Sequence, residues 1–163
     1  MTEMFCFQCE QTAKGTGCTI SGGCGKKPEV AGKHDELTAA LIGLARATED
    51  KNHNKNTDEL VMQGLFTTVT NVNFDPARLD ELKKMVESMK TKLGGAKDFD
   101  PATLFHGDTD IVSLSSTLLF GLRGMAAYAW HAHVLGKDNP EVTEGLYKGL
   151  RAIGQGHSVD EWL

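Results

Sequence analysis

A chain of 163 residues with 40% hydrophobic content is long enough to bury a core, as one domain or two small units. Its net charge of −5 excludes a nucleic-acid footprint, which needs clustered Lys and Arg to displace counterions from phosphate. No basic segment leads into an apolar run at the N-terminus, and the longest apolar stretch is broken by Arg123 and by glycines, so the expectation is a cytoplasmic chain without a membrane-spanning segment.

Residues 1–33 hold all four cysteines, and Gly15, Gly17, Gly22, Gly23, Gly25 and Gly32 alternate there with polar residues without helical or strand period. This reads as a loop built around a bound group. From Asp35 an amphipathic helix is predicted, with Leu37, Leu41, Leu44 and Ala45 spaced by three and four. A polar stretch over 49–56 breaks it. Thr57, Asp58 and Glu59 are expected to cap and charge a second helix through Leu60, Val61, Leu65, Val69 and Val72. Asp75 and Pro76 start a third, with Leu79, Leu82, Met85, Val86, Met89 and Leu93 on one face and Gly94 with Gly95 at its end. A connector over 96–109 leads to a long fourth helix over 110–135, closed by Gly136. Asn139 and Pro140 then open a fifth, which ends near Gly154 and Gly156.

The two halves resemble each other. Leu41-Ile42-Gly43-Leu44-Ala45 matches Leu122-Arg123-Gly124-Met125-Ala126, and Gly64-Leu65-Phe66 matches Gly145-Leu146-Tyr147 at the same offset of 81. One residue of slippage aligns Leu79-Asp80-Glu81-Leu82 with Val159-Asp160-Glu161-Trp162. The expected fold is all-α: a cysteine-rich loop (1–33), a three-helix bundle (34–95), a connector (96–109), and a second bundle (110–163) incomplete at its third helix. The apolar stripe left uncovered would meet further domains of the same protein or a second copy.

Cys6, Cys9, Cys18 and Cys24 follow the spacing x2, x8, x5. In a chain without a secretory leader, clustered cysteines point to metal or redox chemistry rather than a disulfide framework. Four thiolates within one glycine-rich loop can surround one centre. Zinc ribbons face two Cys-x2-Cys knuckles at each other, which the five-residue second gap fits poorly. It fits the larger perimeter of an iron-sulfur cluster better. A structural zinc site in a helical interaction module remains the alternative.

The segment Cys6-Phe7-Gln8-Cys9-Glu10-Gln11-Thr12-Ala13-Lys14-Gly15-Thr16-Gly17-Cys18, followed by Cys24-Gly25-Lys26, resembles the start of hybrid-cluster (prismane) proteins, the hydroxylamine reductases. Asn71-Val72-Asn73, the stretch 121–129 and Ser158-Val159-Asp160-Glu161 continue the resemblance along nearly the whole chain. It implies one 4Fe-4S cluster on Cys6, Cys9, Cys18 and Cys24, a small redox electron donor, and the N-terminal helical domain of that family. It also implies a hybrid iron-sulfur-oxygen cluster, where hydroxylamine is reduced to ammonia, in later domains. No cysteine follows Cys24, so no residue of this chain takes a catalytic role.

Other candidates are weaker. His131 and His133, two apart, point to different faces of a helix. His34, His53, His106 and His157 are scattered and expected on the surface without carboxylate partners. Lys14, Lys26 and Lys27 are expected on a solvated face near the cysteines. Phe5 and Phe7 would shield the centre or anchor its loop.

Overall fold

The computed structural model describes residues 4–48, 53–95 and 98–162. Positions 49–52 of the break expected over 49–56, the connector positions 96–97 and residue 163 lie outside them. The described chain is all-α, with five long helices and a final single turn: α1 (Pro28–Ala47), α2 (Lys55–Thr67), α3 (Pro76–Lys92), α4 (Thr109–Val134), α5 (Pro140–Gln155) and α6 (Val159–Trp162).

The helix starts follow from local chemistry. Pro28, Pro76 and Pro140 occupy first-turn positions, where a missing N–H costs nothing. Asp75, Asp108 and Asn139 accept main-chain N–H groups of the helices they open. Two boundaries differ from the sequence reading. α1 begins two turns before Asp35, because Ala31 and His34 are buried against the cysteine loop and Val30 joins the helical core without the wide apolar stripe of a surface helix. α2 is capped by Asn54 rather than at Thr57: the Asn54 side chain accepts from Asn56 N at 3.0 Å and Thr57 N at 3.3 Å, and Thr57 Oγ1 accepts from Asn54 N at 2.7 Å. It ends at Thr67, so Val69 and Val72 fall in a turn where Asn71 takes a positive φ of 62°.

One apolar cluster runs through α1 to α5 and includes Leu37, Leu41, Leu44, Val61, Leu65, Leu82, Leu122, Leu146 and Leu150. α1 packs on α3 and α5, and α4 packs on α2 and α5, so the cross-contacts α1 on α5 and α4 on α2 are reciprocal between the two halves. The close glycine contacts of the two halves depart from the common offset of 81. A Cβ on Gly64 would lie 2.8 Å from Leu41, and a Cβ on Gly149 would lie 2.5 Å from Leu122. Gly149, one helical turn beyond Gly145, is therefore the counterpart of Gly64 in packing, and Gly145 meets only Met125 at 3.6 Å.

The expectation that no stretch reaches membrane-spanning length needs correction. α4 is long and apolar enough by length and composition, with a mean hydropathy of 1.2 and 22% of that window buried. Its buried residues are Leu119, Leu122, Arg123 and Ala126, while Phe120, Tyr128 and Val134 are exposed. The histidine reading is corrected as well. His34 is buried, His53 lies between Asp58 (2.9 Å) and Glu144 (3.3 Å), and His133 lies between Asp138 (2.6 Å) and Glu59 (3.3 Å). His157 sits 3.9 Å from Glu161. These pairs tie helix ends together: His53 also stacks on Tyr147, whose hydroxyl donates to Asp58 at 3.0 Å.

Candidate functional site

The cysteine loop is organised from its backbone outward. Cys6 and Cys18 exchange two main-chain hydrogen bonds, Cys6 N to Cys18 O at 3.1 Å and Cys18 N to Cys6 O at 2.8 Å. Between them the chain turns back through Thr12, whose N–H donates to Cys9 O at 3.1 Å and whose hydroxyl donates to Cys6 O at 3.0 Å. A second turn, Gly22 N to Lys26 O at 2.8 Å and Gly25 N to Gly22 O at 2.9 Å, carries Cys24. Glycine is required where side chains press on the backbone. A Cβ on Gly17 would lie 2.4 Å from the Phe5 ring, and one on Gly22 would lie 3.0 Å from Cys24 Sγ.

All four cysteines are free thiols. Cys18 is buried, and Ala13 N donates to its sulfur at 3.4 Å. The N–H groups of Ala13 and then Gly23 hold the Cys18 thiol below its ordinary range despite desolvation, and the Thr12 hydroxyl adds to this. Donors of this kind favour the thiolate, the form that binds metal. The structure thus joins Cys6 to Cys18 and brings the Cys24 turn against them through Gly23. Among the described residues, no three His, Cys, Asp or Glu side chains form a group that could hold a metal ion. The donor chemistry, four free thiols on one loop with N–H groups turned to the sulfur of Cys18, fits an anionic thiolate-bound centre.

Aromatic packing fixes the loop to the helices. Phe5, Phe7 and Phe105 meet at centroid distances of 5.5 to 5.7 Å, and Phe7 reaches Phe120 of α4 at 6.3 Å. Thr70 donates to Gln8 O at 3.0 Å, between the first two cysteines.

Behind the loop lies a polar layer the sequence reading missed. Lys26 is 2% exposed, not on a solvated face, and its Nζ donates to His34 Nδ1 at 3.2 Å. The opposite ring nitrogen of His34 donates to Asn73 O at 3.0 Å. Arg123, 5% exposed, donates to Thr68 Oγ1 at 3.0 Å and Thr38 Oγ1 at 3.1 Å. Lys14 and Lys27 are exposed as expected. A signal for Arg123 was present: the repeat sets it against Ile42, a fully buried position, so a charge stands where the first half has core.

Burial, reinforced by Lys26 and Arg123, pushes His34 from 6.5 down to about 4. Burial pushes the neighbouring Asp35 from 3.8 up to about 7, against the pull of Arg123 and Lys26. The two act on stability with opposite signs. The unfolded chain protonates His34 first, so its contribution is complete above 6.5 and is lost as pH falls toward 4. Asp35 is held neutral in the fold, so its contribution is complete below 3.8 and is lost as pH rises through 7. Urea unfolding followed between pH 4 and 6.5 is expected to show stability falling with pH in a His34→Gln chain and rising with pH in an Asp35→Asn chain, both relative to the parent. Parallel pH profiles would contradict these assignments.

The sequence profile of the Prismane/CO dehydrogenase family matches residues 4–162. Hydroxylamine reductase of Methanocella arvoryzae is 41% identical over 196 residues, covering 98% of this chain and 36% of that protein. The corresponding protein of Syntrophobacter fumaroxidans is 43% identical over 195 residues, with 98% and 36% covered, and that of Nitratidesulfovibrio vulgaris is 36% identical over 196 residues, with 98% and 35% covered. The chain thus spans about a third of the length of these relatives. The matched regions, at 196 and 195 residues, exceed the 163 of this chain, so the relatives carry additional residues within them.

Proposed function

Because the chain belongs to the Prismane/CO dehydrogenase family, we propose that it is the N-terminal electron-transfer part of a hydroxylamine reductase, holding one 4Fe-4S cluster on Cys6, Cys9, Cys18 and Cys24. The observation that carries this reading is that every cysteine of the chain lies on one loop within the family-matched span, with main-chain donors turned to the buried sulfur of Cys18. When bound, the cluster supplies one-electron transfer.

The chain's residues prepare that site. Ala13 and Gly23 N–H groups favour the Cys18 thiolate. Phe5, Phe7, Phe105 and Phe120 anchor the loop on the helices through ring contacts, and Thr70 holds Gln8 between Cys6 and Cys9. Reduction of hydroxylamine takes up two electrons and two protons and yields ammonia and water. In this reading it occurs at a hybrid iron-sulfur-oxygen cluster on domains outside these residues, in the cytoplasm, with electrons arriving from a small redox donor. The exposed apolar residues of α4 would be covered by those domains or by a second copy.

The anaerobically prepared chain, given reduced viologen dye and hydroxylamine, is expected to accept an electron and to form no ammonia at an enzymatic rate. Catalytic ammonia formation that disappears in a Cys24→Ser chain would contradict the division between electron transfer and catalysis.

A further inference from the structure

Buried cations are normally paired, because the cost of desolvating an isolated charge is high. Lys26 and Arg123 are both buried, yet among the described residues neither lies in an ion pair with a carboxylate. Arg123 donates to two neutral hydroxyls, and Lys26 to a neutral imidazole. Asp35 is the carboxylate that acts on Arg123, and its own ionisation is held back by burial.

Arg123 lies against the cysteine loop from α4, and Lys26 belongs to that loop, its ammonium turned to His34. Arg123 lines a small crevice with Phe7 and Gln8, the residues that follow Cys6. On the other side, the space above Gly22 is bounded at 3.0 Å by both Cys24 Sγ and Lys26 Cβ, so the Cys24 sulfur and the Lys26 stem converge on one point. Arg123 keeps its proton, since burial brings it only to about 10. Two buried cations thus stand outside any ion pair among the described residues, beside a loop that offers four sulfurs.

We propose that Arg123 and Lys26 are the internal counter-charges of the thiolate-bound centre, positioning residues that hold the loop against the helices and raise the centre's reduction potential. The inference rests on the cluster reading above. Reduction adds a negative charge, and a fixed cation in a water-poor site stabilises the reduced form more than the oxidised one. Arg123 also spans α4, α1 and the end of α2 through Thr38 and Thr68, so the charge is held rigidly.

The test is a redox titration of the full chain, prepared anaerobically, with iron and sulfide content and helical circular dichroism measured on the same samples. Arg123→Gln and Lys26→Met chains are each expected to lower the reduced-to-oxidised ratio at a fixed potential about tenfold, a shift of about 59 mV to more negative values for one electron. Arg123→Lys should restore most of it. Loss of iron with helical content unchanged would also support the role, since the counter-charges would then be needed for retention. If Arg123→Gln does not fold, Lys26→Met decides by the same criteria. An iron-loaded parent whose Lys26→Met and Arg123→Gln chains keep both iron and potential overturns this inference alone. A parent without iron overturns the cluster reading, and this inference with it.

Discussion

A Cys18→Ser chain is expected to keep its five long helices and to lose most of its iron. The main-chain bonds that shape the loop, Cys6 N to Cys18 O and Cys18 N to Cys6 O, do not involve the side chain, so the loop retains its course. What disappears is the thiol on which Ala13 N, Gly23 N and the Thr12 hydroxyl converge. A serine hydroxyl accepts from the same donors but does not ionise near neutral pH, and metal binding requires the ionised form. Iron per chain should fall on the order of tenfold, with the circular dichroism unchanged. Full occupancy in Cys18→Ser would remove that residue from the ligand set. Full occupancy in all four single Cys→Ser chains would remove the site.

The largest effect on stability is expected for Leu41→Ala. Leu41 is 0% exposed on α1, and its side chain fills the notch left by the missing Cβ of Gly64 on α2. Neither glycine nor the surrounding Leu37, Leu44 and Leu65 can collapse into the space without leaving rotamer minima, so a cavity persists. The cost should be about 3 kcal/mol, against less than about 0.5 kcal/mol for Leu135→Ala, which is 75% exposed. Adding Gly64→Ala to Leu41→Ala should recover part of the loss, because the new methyl enters the vacated space, whereas Gly64→Ala alone meets Leu41 at 2.8 Å. Urea unfolding of the four chains measures the coupling. Additive effects would mean that Leu41 and Gly64 do not share a packed contact.

Much of the fold was legible because its signals are local. Proline at a first turn with aspartate or asparagine before it marked the starts of α3 and α5, and glycine after the last turn marked the ends of α3, α4 and α5, within a residue or two. The start of α1 was not legible, since Ala31 and His34 are buried against the cysteine loop through Met4, Cys18 and Lys26 rather than by a neighbouring helix, and no periodicity announces that. The register of α5 was misjudged by one turn for a related reason. Gly145 and Gly149 lie on one face of the helix, and only the packed structure shows which of them receives Leu122.

The candidate site divided in the same way. The cysteines and their glycines were visible as a pattern, and so was the family resemblance. The polar layer of Lys26, His34, Asp35 and Arg123 was not, because its members come from the loop, from α1 and from α4, and Lys26 and Arg123 stand 97 positions apart. Lys26 beside glycines reads as a surface lysine until the docking of the loop on His34 buries it.

The central claim is that Cys6, Cys9, Cys18 and Cys24 hold a 4Fe-4S cluster, and metal and sulfide analysis of the anaerobically prepared chain tests it most directly. Iron and inorganic sulfide in equal amounts, about four of each per chain, in a brown protein that takes up one electron, is the predicted result. A colourless chain with about one zinc and no sulfide would contradict it and assign the four cysteines to a structural zinc site.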